Sequence, residues 1–193
     1  MKLSTLTAHL VALLRLPASD LTELIRTFKD GSSHWKDAED DLGAALAGKP
    51  GPRGGVDATS FHAAFLLIGL MIDGPRKNAV QATYSAYHLD QEGTVSAGWA
   101  EDGPLPPAPL CPLTGEPMFG PALKKLLGDE DLARRVNIIR VRSDSRSAEI
   151  HFDNGQMSRF CDPLEHFAAP LVRTAQLDGY VIATVAALLV GSE

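Results

Sequence analysis

The residues best suited to chemistry in this sequence lie in a basic loop that is rich in glycine and proline. The loop runs Lys49-Pro50-Gly51-Pro52-Arg53-Gly54-Gly55. Its charged side chains, Lys49 and Arg53, and its backbone N–H groups, that of Gly54 among them, could bind phosphate groups. No Gly-Lys-Ser/Thr sequence follows, so the loop does not match a nucleotide-binding P-loop. The alternative is a flexible connector whose two charges serve solubility, and the sequence favours neither interpretation.

Four more residues could extend a phosphate-binding surface, namely Arg26, Lys29, His34 and Lys36. They lie around the turn between the predicted second and third helices, which is the part of a helix-turn-helix that contacts DNA. The third helix also carries four acidic residues: Asp37, Glu39, Asp40 and Asp41. These carboxylates would repel phosphates unless they point away from the duplex, so the pattern argues against direct base recognition by this helix.

Metal and catalytic motifs are sparse. His151, Cys161 and His166 are possible metal ligands, but a structural zinc site needs four ligands with paired short spacings. Here there is a lone Cys-x4-His, so we expect a surface histidine and a partly buried cysteine instead. The sequence has no Gly-x-Ser-x-Gly and no His-Glu-x-x-His. We therefore predict no metal, no cofactor and no enzymatic activity.

The composition is that of an ordinary globular protein. The chain has 193 residues, 45% of them hydrophobic and 22% charged, which suffices for one large or two small domains. The net charge is −6, and residues 89–193 carry all of it because residues 1–88 sum to zero. An acidic total argues against nucleic-acid binding over the whole surface, but it allows a local basic patch.

The length of the apolar runs bears on membrane association, and the two cysteines bear on the cellular compartment. The longest apolar runs, 63–72 and 180–190, are too short to cross a bilayer, so we predict no membrane role. Cys111 and Cys161 form no CxxC pattern. We expect reduced thiols in a cytoplasmic protein, with a disulfide between the two as the alternative.

Residues 1–88 are predicted to form a helical domain. Apolar residues at helical spacing predict five helices, at residues 3–15, 20–31, 34–47, 57–71 and 76–88. A capping box of Asp20 and Glu23 would begin the second helix, and Asp57 or Thr59 would cap the fourth. The fourth is apolar on nearly every face and should be buried. Three short helices followed by the basic loop match the order of a helix-turn-helix with a wing-like extension.

Residues 89–121 form the predicted boundary. They contain seven prolines and five glycines, a composition typical of a linker or an extended strap. Large apolar residues within the segment would anchor it on a neighbouring surface, namely Trp99, Leu105, Leu110 and Phe119.

Residues 122–193 are predicted to form an α+β domain, a small, mainly antiparallel sheet with flanking helices. Strands are expected at 136–142, 148–152, 156–160 and 171–177, and the sequence Asp153-Asn154-Gly155 suits a tight hairpin turn. A last helix, 179–190, has an apolar stripe formed by Ile182, Val185, Ala186 and Leu189. This helix either packs on its own sheet or contributes a homodimer contact.

The chain resembles uncharacterised phage and prophage-type bacterial proteins that begin with a winged-helix-like domain. The residues that carry the resemblance are Gly51-Pro52-Arg53-Gly54-Gly55, the helix containing Ala63-Ala64-Phe65-Leu66, and the tail after Arg173. The resemblance implies a DNA-binding transcriptional regulator, which we expect to be a homodimer. The alternative is a phage-type protein-interaction factor that binds no DNA, whose acidic C-terminal half would contact a protein partner.

Overall fold

The computed structural model describes residues 1–31, 55–72, 78–93, 109–142, 146–162 and 173–191. These residues form an α+β fold of seven helices and one five-stranded antiparallel sheet, so the predicted fold class is confirmed at this level. The predicted third helix lies outside the described residues, and a winged-helix arrangement is not confirmed.

The first two helices are amphipathic and pack against each other. α1 spans Leu3–Leu14 and buries Leu3, Leu6 and Leu10, as the leucine spacing predicts. α2 spans Ala18–Gly31. It begins two residues before Asp20, which therefore lies in the first turn and does not act as the predicted cap. An acidic residue in that turn still interacts favourably with the helix dipole.

The third helix, α3, spans Ser60–Met71 and lies in the centre of the core. Thr59 caps it, as predicted: its hydroxyl accepts from the backbone N–H of His62, and the His62 Nδ1 accepts from the Thr59 N–H at 3.1 Å. Nearly all of its residues are buried, because α2, α4, α5 and α7 all pack around it. The prediction of a buried apolar helix is thus confirmed.

The segment from α4 to α5 crosses the predicted boundary. α4 spans Ala79–Tyr87, strand β1 is Asp90–Gln91, and α5 spans Phe119–Leu127. Phe119 is fully buried and anchors the segment as predicted, whereas Leu110 is 56% exposed, so its predicted anchoring is wrong. Trp99 and Leu105 lie outside the described residues.

The C-terminal elements match the predicted order closely. A short helix, α6 (Glu130–Ala133), precedes the strands β2 (Val136–Arg142), β3 (Ser147–Phe152), β4 (Met157–Cys161) and β5 (Thr174–Asp178), and α7 spans Gly179–Val190. Every neighbouring pair of strands is antiparallel, in the order β1-β4-β3-β2-β5. Gly155 has φ +80° in the turn from β3 to β4, a conformation that glycine adopts without a steric penalty.

Helices cover one face of this sheet. α7 packs on β2 and β5, and its predicted apolar stripe is buried. The prediction that α7 packs on its own sheet is therefore confirmed. Its first residue, Gly179, crosses β2 so closely that an added Cβ would lie 1.7 Å from the Val136 carbonyl oxygen.

Buried side chains from α1 through α7 form one hydrophobic cluster. Within it, α5 packs against both α3 and α7, and α1 packs against α7. The division at residues 88 and 121 stays a prediction, but the two predicted domains share this cluster.

Candidate anion-binding site

Two of the seven residues predicted to bind DNA lie in the described part of the chain. Arg26 and Lys29 are exposed on α2, one turn apart. The same helix exposes Glu23 and Asp30, so carboxylates lie next to both basic residues. The other five, His34, Lys36, Lys49, Arg53 and Gly54, lie outside the described residues.

A different set of basic residues comes together on the sheet face that the helices leave open. Side chains alternate between the two faces of a strand. In β2, Ile139 and Val141 point into the core, so Arg140 and Arg142 point to the open face. In β4, buried Ser158 and Phe160 flank Arg159 and direct it to the same face. We call this open side, with Arg140, Arg142 and Arg159, the arginine face.

The strand order determines how these residues meet. Glu149 of β3 is directly opposite Arg140 of β2 on one side and Arg159 of β4 on the other. Adjacent strands lie about 4.8 Å apart, so the backbones of Arg140 and Arg159 are about 10 Å apart, with Glu149 between them. Gln176 of β5 is opposite Arg140 and accepts a hydrogen bond from its Nε at 3.3 Å.

Carboxylates partly neutralise the arginines. The Glu149 Oε2 lies 3.8 Å from the Arg140 Nη1 and 2.9 Å from the His151 Nε2. The Arg159 Nη1 lies 3.1 Å from Glu92 Oε1. All three arginines and Glu149 are half-buried, so these charges act in a medium less polar than bulk water.

A cavity of about 370 Å³ opens on the arginine face. Its lining consists of Arg140, Arg142, Arg159, Glu149, Ser147, Ala148, Thr174 and Gln176. Three guanidinium groups outnumber the two carboxylates that pair with them, Glu149 and Glu92, although residues 89–193 as a whole are acidic. Guanidinium groups form paired hydrogen bonds with phosphate or carboxylate oxygens, and the hydroxyl groups add further donors. The cavity therefore has the chemistry of an anion-binding site.

A second cavity, of about 410 Å³, is electrically balanced. Ser60, Pro121 and Gly128 contribute to its lining together with two lysines and two acidic residues, Lys124, Lys125, Glu116 and Asp129. The Lys125 Nζ lies 3.5 Å from the Glu116 Oε1, and the Lys124 Nζ lies 5.8 Å from the centre of the Phe61 ring. With no excess of charge, this cavity is the weaker candidate for an anion.

Of the residues considered for metal binding, His151 lies on the arginine face beside Glu149. Within the described part of the chain, no group of three or more His, Cys, Asp or Glu could hold a metal ion, and His166 lies outside that part. Neither cysteine is in a disulfide. Cys111 is buried, and its Sγ accepts a hydrogen bond from the Ser158 hydroxyl at 3.2 Å.

Sequence reasoning missed the arginine face although it found the strands. The signal was present in Ile138-Ile139-Arg140-Val141-Arg142, where arginines alternate with β-branched residues at period two. That pattern places two arginines on the polar face of one strand. The predicted hairpin pairs β4 with β3, but local spacing does not show that β2 also lies beside β3, which is what brings Arg159 to the same place as the β2 arginines.

Comparison with known proteins gives no family for this chain: no family model, curated protein or solved structure matches it. The resemblance to phage-type proteins therefore stays a prediction. Among the described helices, none has both the length and the apolar character needed to cross a membrane.

Proposed function

We propose that this chain is a non-enzymatic DNA-binding regulator that acts as a homodimer and contacts the phosphate backbone through its arginine face. The observation that carries the proposal is the convergence of Arg140, Arg142 and Arg159 around one cavity. Arginines are frequent phosphate contacts in protein–DNA complexes, and such contacts fix the position of the protein on the duplex.

The chemistry of the arginine face favours backbone contacts over base stacking. Sheets that bind single strands stack bases on aromatic side chains. The described strand residues on this face are arginines, carboxylates, hydroxyl-bearing residues, Gln176, Ile138, His151, Met157 and Cys161, without Phe, Tyr or Trp. A duplex, recognised through its phosphates, therefore suits the surface better than an unpaired strand.

The proposal predicts a specific loss of salt dependence. The affinity for a mixed-sequence duplex is measured by fluorescence anisotropy between about 50 and 200 mM salt. Arg140→Ala and Arg142→Ala should each weaken binding on the order of 10-fold and reduce the slope of log K against log salt by about 0.9. Glu149→Gln should strengthen binding, because it removes the carboxylate between the arginines.

Two sets of control variants locate the contacts. Arg134→Ala removes an exposed arginine that pairs with Glu130 on α6, on the helical side of the molecule, and should leave binding unchanged. Arg26→Ala, Lys29→Ala, Lys49→Ala and Arg53→Ala test the basic residues predicted from the sequence. If only these four weaken binding, the contacts belong to the helical half. If the folded wild-type protein binds no DNA at about 50 mM salt, DNA binding is excluded and the protein-interaction alternative is favoured.

A further inference from the structure

The cavity on the arginine face combines hydrogen-bond donors with an anionic acceptor. Arg140, Ser147 and Glu149 all contribute to its lining. The guanidinium group of Arg140 and the hydroxyl group of Ser147 can donate, whereas the carboxylate of Glu149 can only accept. A ligand made of acceptors alone would place negative charge against Glu149, so the lining favours a ligand that both accepts and donates.

The donors of Arg140 are used only in part. Its Nε donates to the Gln176 Oε1 at 3.3 Å. Its Nη1 lies 3.8 Å from the Glu149 Oε2, which is an ion pair but too long for a hydrogen bond. Within the described part of the chain, the two terminal nitrogens of Arg140 make no hydrogen bond. They are therefore able to donate to the charged oxygens of a ligand.

Ser147 lies at the floor of the cavity. It is 5% exposed, and its hydroxyl group has no hydrogen-bond partner among the described residues. Residues two apart on a strand share a face, so Ser147 points to the same side as Glu149. Leaving a nearly buried hydroxyl without a partner is unfavourable, and an oxygen of a ligand in the cavity would provide one.

Glu149 uses one of its two oxygens. Its Oε2 lies 2.9 Å from the His151 Nε2 and is also the oxygen nearest to Arg140. Its Oε1 accepts no hydrogen bond from the described residues. Ser147 and Glu149 are about 7 Å apart along β3. A small ligand with a hydrogen bond of about 2.8 Å at each end can therefore reach both.

We infer that this cavity binds a small oxyanion that also carries a hydroxyl group, which is the chemistry shared by hydrogen phosphate and hydroxy acids. Arg140 and Ser147 donate to its charged oxygens, and the Glu149 Oε1 accepts from its hydroxyl group. An ion of the same shape without that hydrogen meets the carboxylate with a lone pair and is rejected. The cavity volume of about 370 Å³ falls within the range of small-molecule sites.

This inference goes beyond the proposed function, because the phosphodiester groups of DNA carry no such hydroxyl group. The two ligands share Arg140 but differ in what they require of Glu149. For DNA, the carboxylate is only a repulsive charge. For the small oxyanion, it is the acceptor that selects the ligand.

Isothermal titration calorimetry of the full chain at about pH 7 and constant ionic strength tests the inference with two matched pairs. Inorganic phosphate is compared with sulfate, and malate with succinate, since only the first member of each pair has a hydroxyl group. In at least one pair the first member should bind at least about 10-fold more tightly. A preference within one pair alone identifies the ligand as phosphate or as a hydroxy acid. No binding up to about 10 mM, or equal affinities within both pairs, would overturn the inference.

Three variants assign the preference to the cavity. Glu149→Gln removes the charge and should reduce the preference to less than about 3-fold, mainly because the ion without a hydroxyl group binds more tightly. Arg140→Ala should weaken both members of a pair at least about 10-fold. Arg134→Ala, on the helical side, is the control and should bind like the wild type.

A preference that persists unchanged in Glu149→Gln would also overturn the inference, because the selection would then come from another group. Binding is measured here without DNA, so this failure is distinct from a failure of the proposed function. The same Glu149→Gln variant separates the two further, since it should strengthen duplex binding while it removes the preference between small oxyanions.

Discussion

At the level of single residues, the ion pair between Lys2 and Asp57 joins the beginning of α1 to the segment before α3. The Lys2 Nζ lies 2.8 Å from the Asp57 Oδ1. Backbone hydrogen bonds run beside it, from the Leu3 N–H to the Val56 carbonyl and from the Ala58 N–H to the Met1 carbonyl, both at 2.8 Å. The pair thus lies within a short backbone bridge that holds α1 close to α3.

This pair gives a prediction for acid stability. The hydrogen bond and the positive charge of Lys2 lower the pKa of Asp57 below its ordinary value of 3.8. Because the folded-state pKa is the lower one, the stabilisation is present above pH 3.8 and is lost as the pH falls through the folded pKa. Asp57→Asn should therefore lose less stability on acidification than the wild type, as measured by urea unfolding at a series of pH values.

Lys2→Ala provides the matching variant, since it removes the partner instead of the carboxylate. Lys2→Ala should reduce the loss of unfolding free energy on acidification, as Asp57→Asn does. The double variant should show the same pH dependence as either single variant. Unaltered acid dependence in both single variants would mean that the pair is too exposed to contribute.

At the level of elements, the junction between β5 and α7 depends on the absence of a side chain. Asp178 caps α7 by accepting from the Tyr180 N–H at 2.8 Å, and Gly179 then crosses the backbone of β2. A Cβ on Gly179 would meet the carbonyl oxygen and carbon of Val136, which are backbone atoms and cannot move by a rotamer change. The close approach lets α7 pack directly on the sheet.

Gly179→Ala should therefore lower the free energy of unfolding by about 3 kcal/mol, because α7 must shift away from β2. Gly128→Ala is the matched control, since an added Cβ there makes only ordinary contacts of 3.5 Å or more, and it should change stability by less than about 0.5 kcal/mol. Chemical denaturation of both variants measures the difference. If Gly179→Ala and Gly128→Ala had the same free energy of unfolding, α7 could move away from β2 without a loss of stability.

Elements with a strong local pattern could be predicted from the sequence. The leucine spacing of α1, the apolar run of α3 and the alternation in β2 gave these elements within a few residues of their observed bounds. β1 was missed because two residues carry no periodicity, and its pairing with β4 depends on long-range contacts. The arginine face was missed for a related reason, since it forms only when β2 lies beside the predicted hairpin of β3 and β4, and local patterns do not show that pairing.

At the level of the whole molecule, the shared hydrophobic cluster predicts one cooperative unfolding transition. Leu123 of α5 is fully buried where that helix packs against α3 and α7. Leu123→Ala should lower stability by about 2–5 kcal/mol and destabilise residues 55–72 and 136–161 together. Hydrogen exchange with peptide resolution during urea unfolding can follow the two regions separately.

Two outcomes distinguish the alternatives at this scale. Coincident transitions in the wild type and in Leu123→Ala would indicate a single folding unit. If residues 55–72 and 136–161 instead unfolded at different urea concentrations, the predicted division between residues 1–88 and 122–193 would describe two independently stable domains.

The contact between α1 and α7 also bears on how the protein is made on the ribosome. About 165 residues separate Leu14 from Gly179. At a synthesis rate of about 5–20 residues per second, α1 emerges roughly 10 to 30 s before α7. During that interval the side of α1 that later packs against α7 has no such partner. The nascent chain therefore presents a leucine-rich helix early, and molecular chaperones have time to bind it before the core closes.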